Sequence, residues 1–142
     1  MIVLDTSVLV YAIGEEHPLR APCRDLIRAV TDERVEATTT VQVIQELAHV
    51  RARRRSIANG VAAARDYSDL LSPLLVTSSA DLDRGLSLFE TVPGLGAFDS
   101  VLAATAISAG ANQLVSADRA FGEVPGLVHL FPSSDGIAGI LN

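Results

Sequence analysis

Short apolar runs alternate along this chain with stretches whose apolar residues recur every three or four positions. Ile2-Val3-Leu4, ending at Asp5, reads as a buried strand. Thr6 or Ser7 is placed to cap a following helix that carries Val8, Leu9 and Tyr11 and stops near Gly14. A second helix is predicted to begin between Pro18 and Pro22 and to bury Leu26, Ile27 and Val30. Residues 35–39 are a weaker strand candidate. From Thr40, the residues Val43, Ile44, Leu47 and Val50 keep helical spacing. A helix end or bend is expected within 51–56, after which helical character resumes until Pro73.

The second half repeats the alternation. Leu74-Leu75-Val76 reads as a strand, and Ser79 as the cap of a helix with Asp81 and Asp83 in its first turn, reaching Phe89. Pro93-Gly94-Leu95-Gly96 is a loop, and 98–109 is a small-residue helix that Gly110 is suited to end. Residues 113–116 and 127–131 complete the strands. Strands separated by helices predict an α/β fold built on a parallel sheet covered on both faces. With 142 residues and no repeat or linker, residues 1–142 are expected to form one domain.

Composition narrows the chemistry. The chain has 49% hydrophobic and 20% charged residues, the balance of a globular domain, and a net charge of −6. All 11 basic residues are arginines, so Schiff-base chemistry, a P-loop and any phosphoryl-transfer site needing an ammonium are excluded. Cys23 is the sole cysteine, which rules out an internal disulfide and suits a reducing, cytoplasmic setting. No apolar run is long enough to span a membrane, and Met1 leads straight into the first strand without a basic leader.

Four carboxylates carry the candidate chemistry, although each has an ordinary reading on its own. Asp5 ends a strand at the edge where open parallel sheets bind ligands, and it also suits a turn. Glu46 lies at helical spacing alongside Val43 and Val50, as a surface residue at the stripe's edge or as a carboxylate in need of a partner. Asp99 opens a helix, where the helix dipole alone favours it. Asp118 follows a strand, with Ser116 two residues before it. Converging within ~5 Å, each pair would repel by ~3 kcal/mol at an effective dielectric of 20. Several such pairs rival the ~5–15 kcal/mol stability of a whole domain. A cluster of this kind must be protonated, separated or neutralised, and hard cations such as Mg²⁺ or Mn²⁺ suit oxygen ligands.

Four segments carry a family resemblance. They are Ile2-Val3-Leu4-Asp5-Thr6-Ser7-Val8-Leu9-Val10-Tyr11, Val43-Ile44-Gln45-Glu46-Leu47, Phe98-Asp99-Ser100-Val101-Leu102-Ala103-Ala104-Thr105-Ala106 and Leu114-Val115-Ser116-Ala117-Asp118-Arg119-Ala120-Phe121. In their order and spacing the chain resembles the PIN-domain nucleases, most closely the VapC-type toxins of toxin–antitoxin pairs. The resemblance implies a three-layer sandwich with a parallel sheet of about five strands and helices on both faces. It implies an acidic Mg²⁺ or Mn²⁺ site of Asp5, Glu46, Asp99 and Asp118, with polar support from Thr6, Ser7 and Ser116. Glu46 is left as either a ligand or the group that orients the attacking water. It further implies endoribonuclease activity on RNA phosphodiesters, a VapB-type antitoxin partner and a homodimer.

Other features count for less. Arg51, Arg53, Arg54 and Arg55 form a basic patch suited to RNA phosphates or simply to a solvated helix end. Few aromatics leave recognition to RNA shape. His17, His49 and His129 lack metal-ligand spacing. The rival of a different class is a non-catalytic PIN-like protein- or RNA-binding module, which would have no need of four costly carboxylates.

Overall fold

The computed structural model describes residues 1–142. Its elements run β1 (Ile2–Leu4), α1 (Thr6–Ile13), α2 (Arg20–Thr31), β2 (Ala37–Thr38), α3 (Val41–Arg54), α4 (Ile57–Leu71), α5 (Ser79–Thr91), α6 (Ala97–Ser108), β3 (Gln113–Val115), β4 (His129–Leu130) and α7 (Ser134–Leu141). The sheet has four strands in the order β2-β1-β3-β4, with every neighbouring pair parallel. All strands therefore point their C-terminal ends to one edge. Strand order reverses direction between β1 and β3, and open α/β sheets form their binding crevice at such a point. Val3, Leu4, Leu114 and Val115 are fully buried, and helices on both sides join them in one apolar cluster.

The fifth expected strand, 74–76, is reduced to a single bridge between Thr40 and Leu75. Pro73 supplies no N–H and Val76 turns out to solvent at 85% exposure, so pairing does not extend beyond the Leu75 N–H bond to the Thr39 carbonyl oxygen at 2.8 Å. Two caps fall one residue earlier than the pattern predicts. Asp5, not Thr6 or Ser7, takes the N-cap position of α1, with extended dihedrals and no side-chain cap bond. Ser78, not Ser79, caps α5 in a reciprocal box with Asp81, which leaves Asp83 beyond the first turn. The 3₁₀ turn Arg119–Glu123 and helix α7 have no counterpart in the sequence reading.

Two glycines set how closely the helices pack. A Cβ on Gly85 of α5 would lie 2.7 Å from the Val101 Cα of α6, and one on Gly60 of α4 would lie 2.6 Å from the Ala48 carbonyl oxygen of α3. The hydroxyl of Ser108 donates to Asp81 Oδ1 at 2.6 Å, tying the end of α6 to the start of α5. No helix is long and apolar enough to cross a membrane.

Candidate metal centre

The strand ends bring the acidic residues together through two serine hydroxyls. Ser7 Oγ and Ser116 Oγ both donate to Asp5 Oδ2, at 3.0 and 2.6 Å. The same oxygens accept backbone N–H groups from the loop after β3. Ala117 N–H donates to Ser7 Oγ, and Asp118 N–H to Ser116 Oγ, each at 3.0 Å. Each hydroxyl thus links the end of β1 to the end of β3. Ser116 is fully buried, and the His129 ring holds its carbonyl oxygen at 2.8 Å. Downstream, the Arg119 guanidinium stacks on Phe131, 3.9 Å from the ring centre, and steadies the start of the 3₁₀ turn.

Asp5 is buried, Asp99 and Asp118 are half-buried, and Glu46 is exposed. The helical spacing of Glu46 suggests a carboxylate lying along the apolar stripe. In the fold it stands at the stripe's open edge, one residue before buried Leu47, which at 100° per residue points well away from it. Thr6 Oγ1 donates to Glu46 Oε2 at 2.8 Å and so fastens α3 to the start of α1.

Asp5 and Glu46 each have one oxygen tethered by a donor, Oδ2 and Oε2, and the other without a protein partner. Asp118 Oδ1 accepts Ala120 N–H at 2.9 Å, and its carboxylate also shares a side-chain hydrogen bond with Asp99. The three ion pairs of the chain, Arg20–Glu16, Arg28–Asp25 and Arg34–Asp32, all lie elsewhere, so no arginine neutralises the cluster. Burial, followed by the charges of Asp5, Asp118 and Glu46, pushes the Asp99 carboxyl from its ordinary 3.8 up to about 7. Asp99 feels all three of the others, so the four share one electrostatic site. No three His, Cys, Asp or Glu side chains close on one point as a finished cage.

Beside the cluster opens a cleft of about 800 Å³ between α3, α5 and α6, lined by Asp5, Glu46 and Asp99. Gln42, Gln45 and His49 of α3 line it as well; the sequence pattern gives the two glutamines no role and sets His49 aside for want of metal-ligand spacing. Their signal was present: Gln42 and His49 lie four before and three after Glu46, on the same helix face. Phe98, immediately before Asp99, also lines the cleft and is 85% exposed.

The arginine patch divides. Arg53, Arg54 and Arg55 are exposed, whereas Arg51 is only 8% exposed and turns inward, where its Nε donates to Asn59 Oδ1 at 3.1 Å. Arg51 therefore does not belong to an open phosphate-binding surface. Its position on α3 faces α4 and not solvent.

Comparison with known proteins agrees with this architecture. Residues 2–127 match the PIN domain family. The chain therefore belongs to the PIN-domain family, among its VapC-type members. It is 55% identical to ribonuclease VapC7 of Mycobacterium tuberculosis, covering 99% of this chain and 98% of that protein. Ribonuclease VapC23 of the same species is 33% identical over 70% of this chain and 78% of its own length. A crystal structure of VapBC2 from Rickettsia felis, bound to a DNA fragment from its promoter, has the same fold. It superposes with a TM-score of 0.70 at 19% identity, covering 92% of this chain and 98% of that one.

Proposed function

We propose that this chain is a Mg²⁺- or Mn²⁺-dependent endoribonuclease, the toxin of a toxin–antitoxin pair, with Asp5, Glu46, Asp99 and Asp118 as its acidic site. The observation that carries the reading is the placement of Asp5, Asp118 and Glu46 near enough to Asp99 for burial and their charges to raise its proton affinity, with no arginine paired to any of the four. Relatives that are ribonucleases by name support the substrate class.

The donor set fits a hard divalent cation. The four carboxylates offer only oxygens, and Asp5 and Glu46 each keep one free of any protein donor. An unfinished cage suits Mg²⁺, which keeps several of its waters and is held by one or two carboxylates together with substrate phosphate. When bound, such an ion supplies Lewis acidity to the phosphodiester and to the attacking water. The chain's own residues do the rest. Ser7 and Ser116 hold Asp5 in one rotamer, and the Asp118 backbone is pinned through Ser116, so the ligand oxygens need little rearrangement on loading. Asp99, held among Asp5, Asp118 and Glu46, would serve as a further oxygen ligand in its ionised form. Glu46, exposed and fastened by Thr6, stands at the cleft's mouth as a ligand or as the group that orients water. Phe98 offers one flat apolar surface on which a base beside the scissile phosphate stacks. Exposed Arg53, Arg54 and Arg55 supply phosphate contacts further along α3.

An antitoxin of the VapB type, a homodimer and a cytoplasmic location complete the proposal. The VapBC2 complex supports the first. The test is incubation of the protein with total cellular RNA in Mg²⁺ or Mn²⁺, with chelator and the Asp99→Asn protein as controls. Cleavage leaving 5′-phosphate and 3′-hydroxyl ends, lost in both controls, is the expected result. Full-rate cleavage by folded Asp99→Asn protein refutes the site.

A further inference from the structure

A second cavity lies between α3, α4 and the ends of α1 and α2. It measures about 430 Å³, and its walls are largely aliphatic: Ile13, Ile27, Ala62, Ala63 and Leu70. Arg51, Asn59, Asp66 and the Tyr67 hydroxyl break that lining, and of these Arg51 and Tyr67 are buried. Arg51 is 92% buried by its 8% exposure, and it makes no ion pair with any carboxylate of the chain. Its sole hydrogen bond, from Nε to Asn59 Oδ1 at 3.1 Å, orients the guanidinium and leaves Nη1 and Nη2 without a protein partner. The only fully enclosed side-chain polar atom lacking a partner is Arg20 Nε, so the Arg51 head reaches open space, and the cavity is the space it lines. Tyr67 is 7% exposed, lines the same cavity, and its hydroxyl makes no hydrogen bond. Burial keeps that phenol protonated, with its pKa pushed up to about 12, so it remains a donor.

A nearly buried guanidinium without a counter-charge is costly unless something anionic completes it. Asp66 stands on the cavity wall but is exposed and forms no ion pair with Arg51. The site is separate from the acidic cleft. Gln42, Gln45, Glu46 and His49 point about 120–180° around α3 from Arg51.

We infer that this cavity binds a carboxylate carried on a compact apolar body, gripped by the free Nη1 and Nη2 of Arg51 with the Tyr67 hydroxyl as a further donor. The planar fork of an arginine matches a carboxylate, and the aliphatic walls select against small hydrophilic anions. The carboxylate belongs either to a free small acid or to an acidic side chain flanked by apolar residues on a bound polypeptide.

The test is an NMR titration of the full chain with 4-methylpentanoate, its neutral isostere 4-methylpentanamide, and acetate. A parallel pair, acetyl-Leu-Glu-Leu-amide and its Gln counterpart, probes the polypeptide source. An acid that shifts the Arg51 Nε–H and the Ala62 and Ala63 amides about tenfold more tightly than its amide supports the site. Whichever acid binds more tightly identifies the source. Arg51→Met and Tyr67→Phe are expected to weaken the acid while leaving the amide unchanged. If Arg51→Met does not fold, the acid-to-amide ratio in the native chain decides the matter. Acids no tighter than their amides, in both pairs, overturn the inference.

Discussion

Replacing Asp99 by Asn offers a prediction that runs against the usual loss on mutation. In the metal-free chain the Asp99 carboxyl titrates at about 7 and not at its ordinary 3.8, first because of burial and then because of Asp5, Asp118 and Glu46. The folded chain holds this proton more tightly than the unfolded chain. The group's contribution is therefore fully present below about 3.8 and is lost as the pH rises through about 7. The difference of about three pH units corresponds to a ceiling of about 4 kcal/mol. Water and salt reach the half-buried carboxylate and reduce this to about 2 kcal/mol. An asparagine carries no charge and keeps an N–H to donate toward Asp118, much as the protonated acid does. In chelator at pH 8, Asp99→Asn is expected to raise stability by about 2 kcal/mol, roughly 6 °C in Tm for a domain of this size. Near pH 4 the advantage shrinks toward zero. Saturating Mn²⁺ reverses the order, because it stabilises the native chain and not the variant. Urea unfolding followed by circular dichroism at both pH values measures all three. A variant no more stable than the native chain at pH 8 without metal refutes the electrostatic reasoning.

Other substitutions test the supports of the site. Ser116→Ala removes the 2.6 Å bond to Asp5 and strands the Asp118 N–H, so it should cost about 1–3 kcal/mol in urea unfolding and also slow cleavage. Gly85→Ala drives a methyl against the Val101 backbone and should lower stability by about 1–3 kcal/mol, read as a lower Tm. Phe98→Ala touches no core and should leave Tm unchanged while weakening RNA binding by about 1–3 kcal/mol in a filter-binding assay. Changing Arg53, Arg54 and Arg55 together to Gln should flatten the salt dependence of RNA binding by about two in log–log slope, whereas an unchanged slope denies them phosphate contacts.

The periodic parts of the chain were legible before any coordinates, because burial writes itself into spacing. Val43, Leu47 and the β-branched run of β1 announce their elements in that way. Weakly patterned segments were not. Residues 74–76 have the composition of a strand, yet extended pairing needs a buried face, and Val76 is left in solvent, which composition does not report. The caps at Asp5 and Ser78 shifted by one residue because several adjacent side chains suit an N-cap, and tertiary partners decide among them. At Asp5 the side chain is taken by Ser7 and Ser116, which left the cap without its usual bond. Asp5 and Asp118 meet because both follow parallel strands at one edge, whereas Glu46 and Asp99 reach that edge on α3 and α6, whose placement is a matter of topology. Arg51 shows the limit of reading charge runs, since four clustered arginines look alike in sequence while helix phase buries one and exposes three. The 800 Å³ cleft was unreadable because α3 is separated from the α5–α6 pair by a whole helix, and only the tertiary packing sets them face to face.

Mn²⁺ binding followed by electron paramagnetic resonance tests the central claim most directly, because it asks whether the carboxylates act as one cation site independently of any RNA. The account predicts saturable binding to the native chain, displaced by Mg²⁺ and lost in both Asp5→Asn and Asp99→Asn. Equal Mn²⁺ binding by the native chain and both folded variants, or none by the native chain, would contradict it.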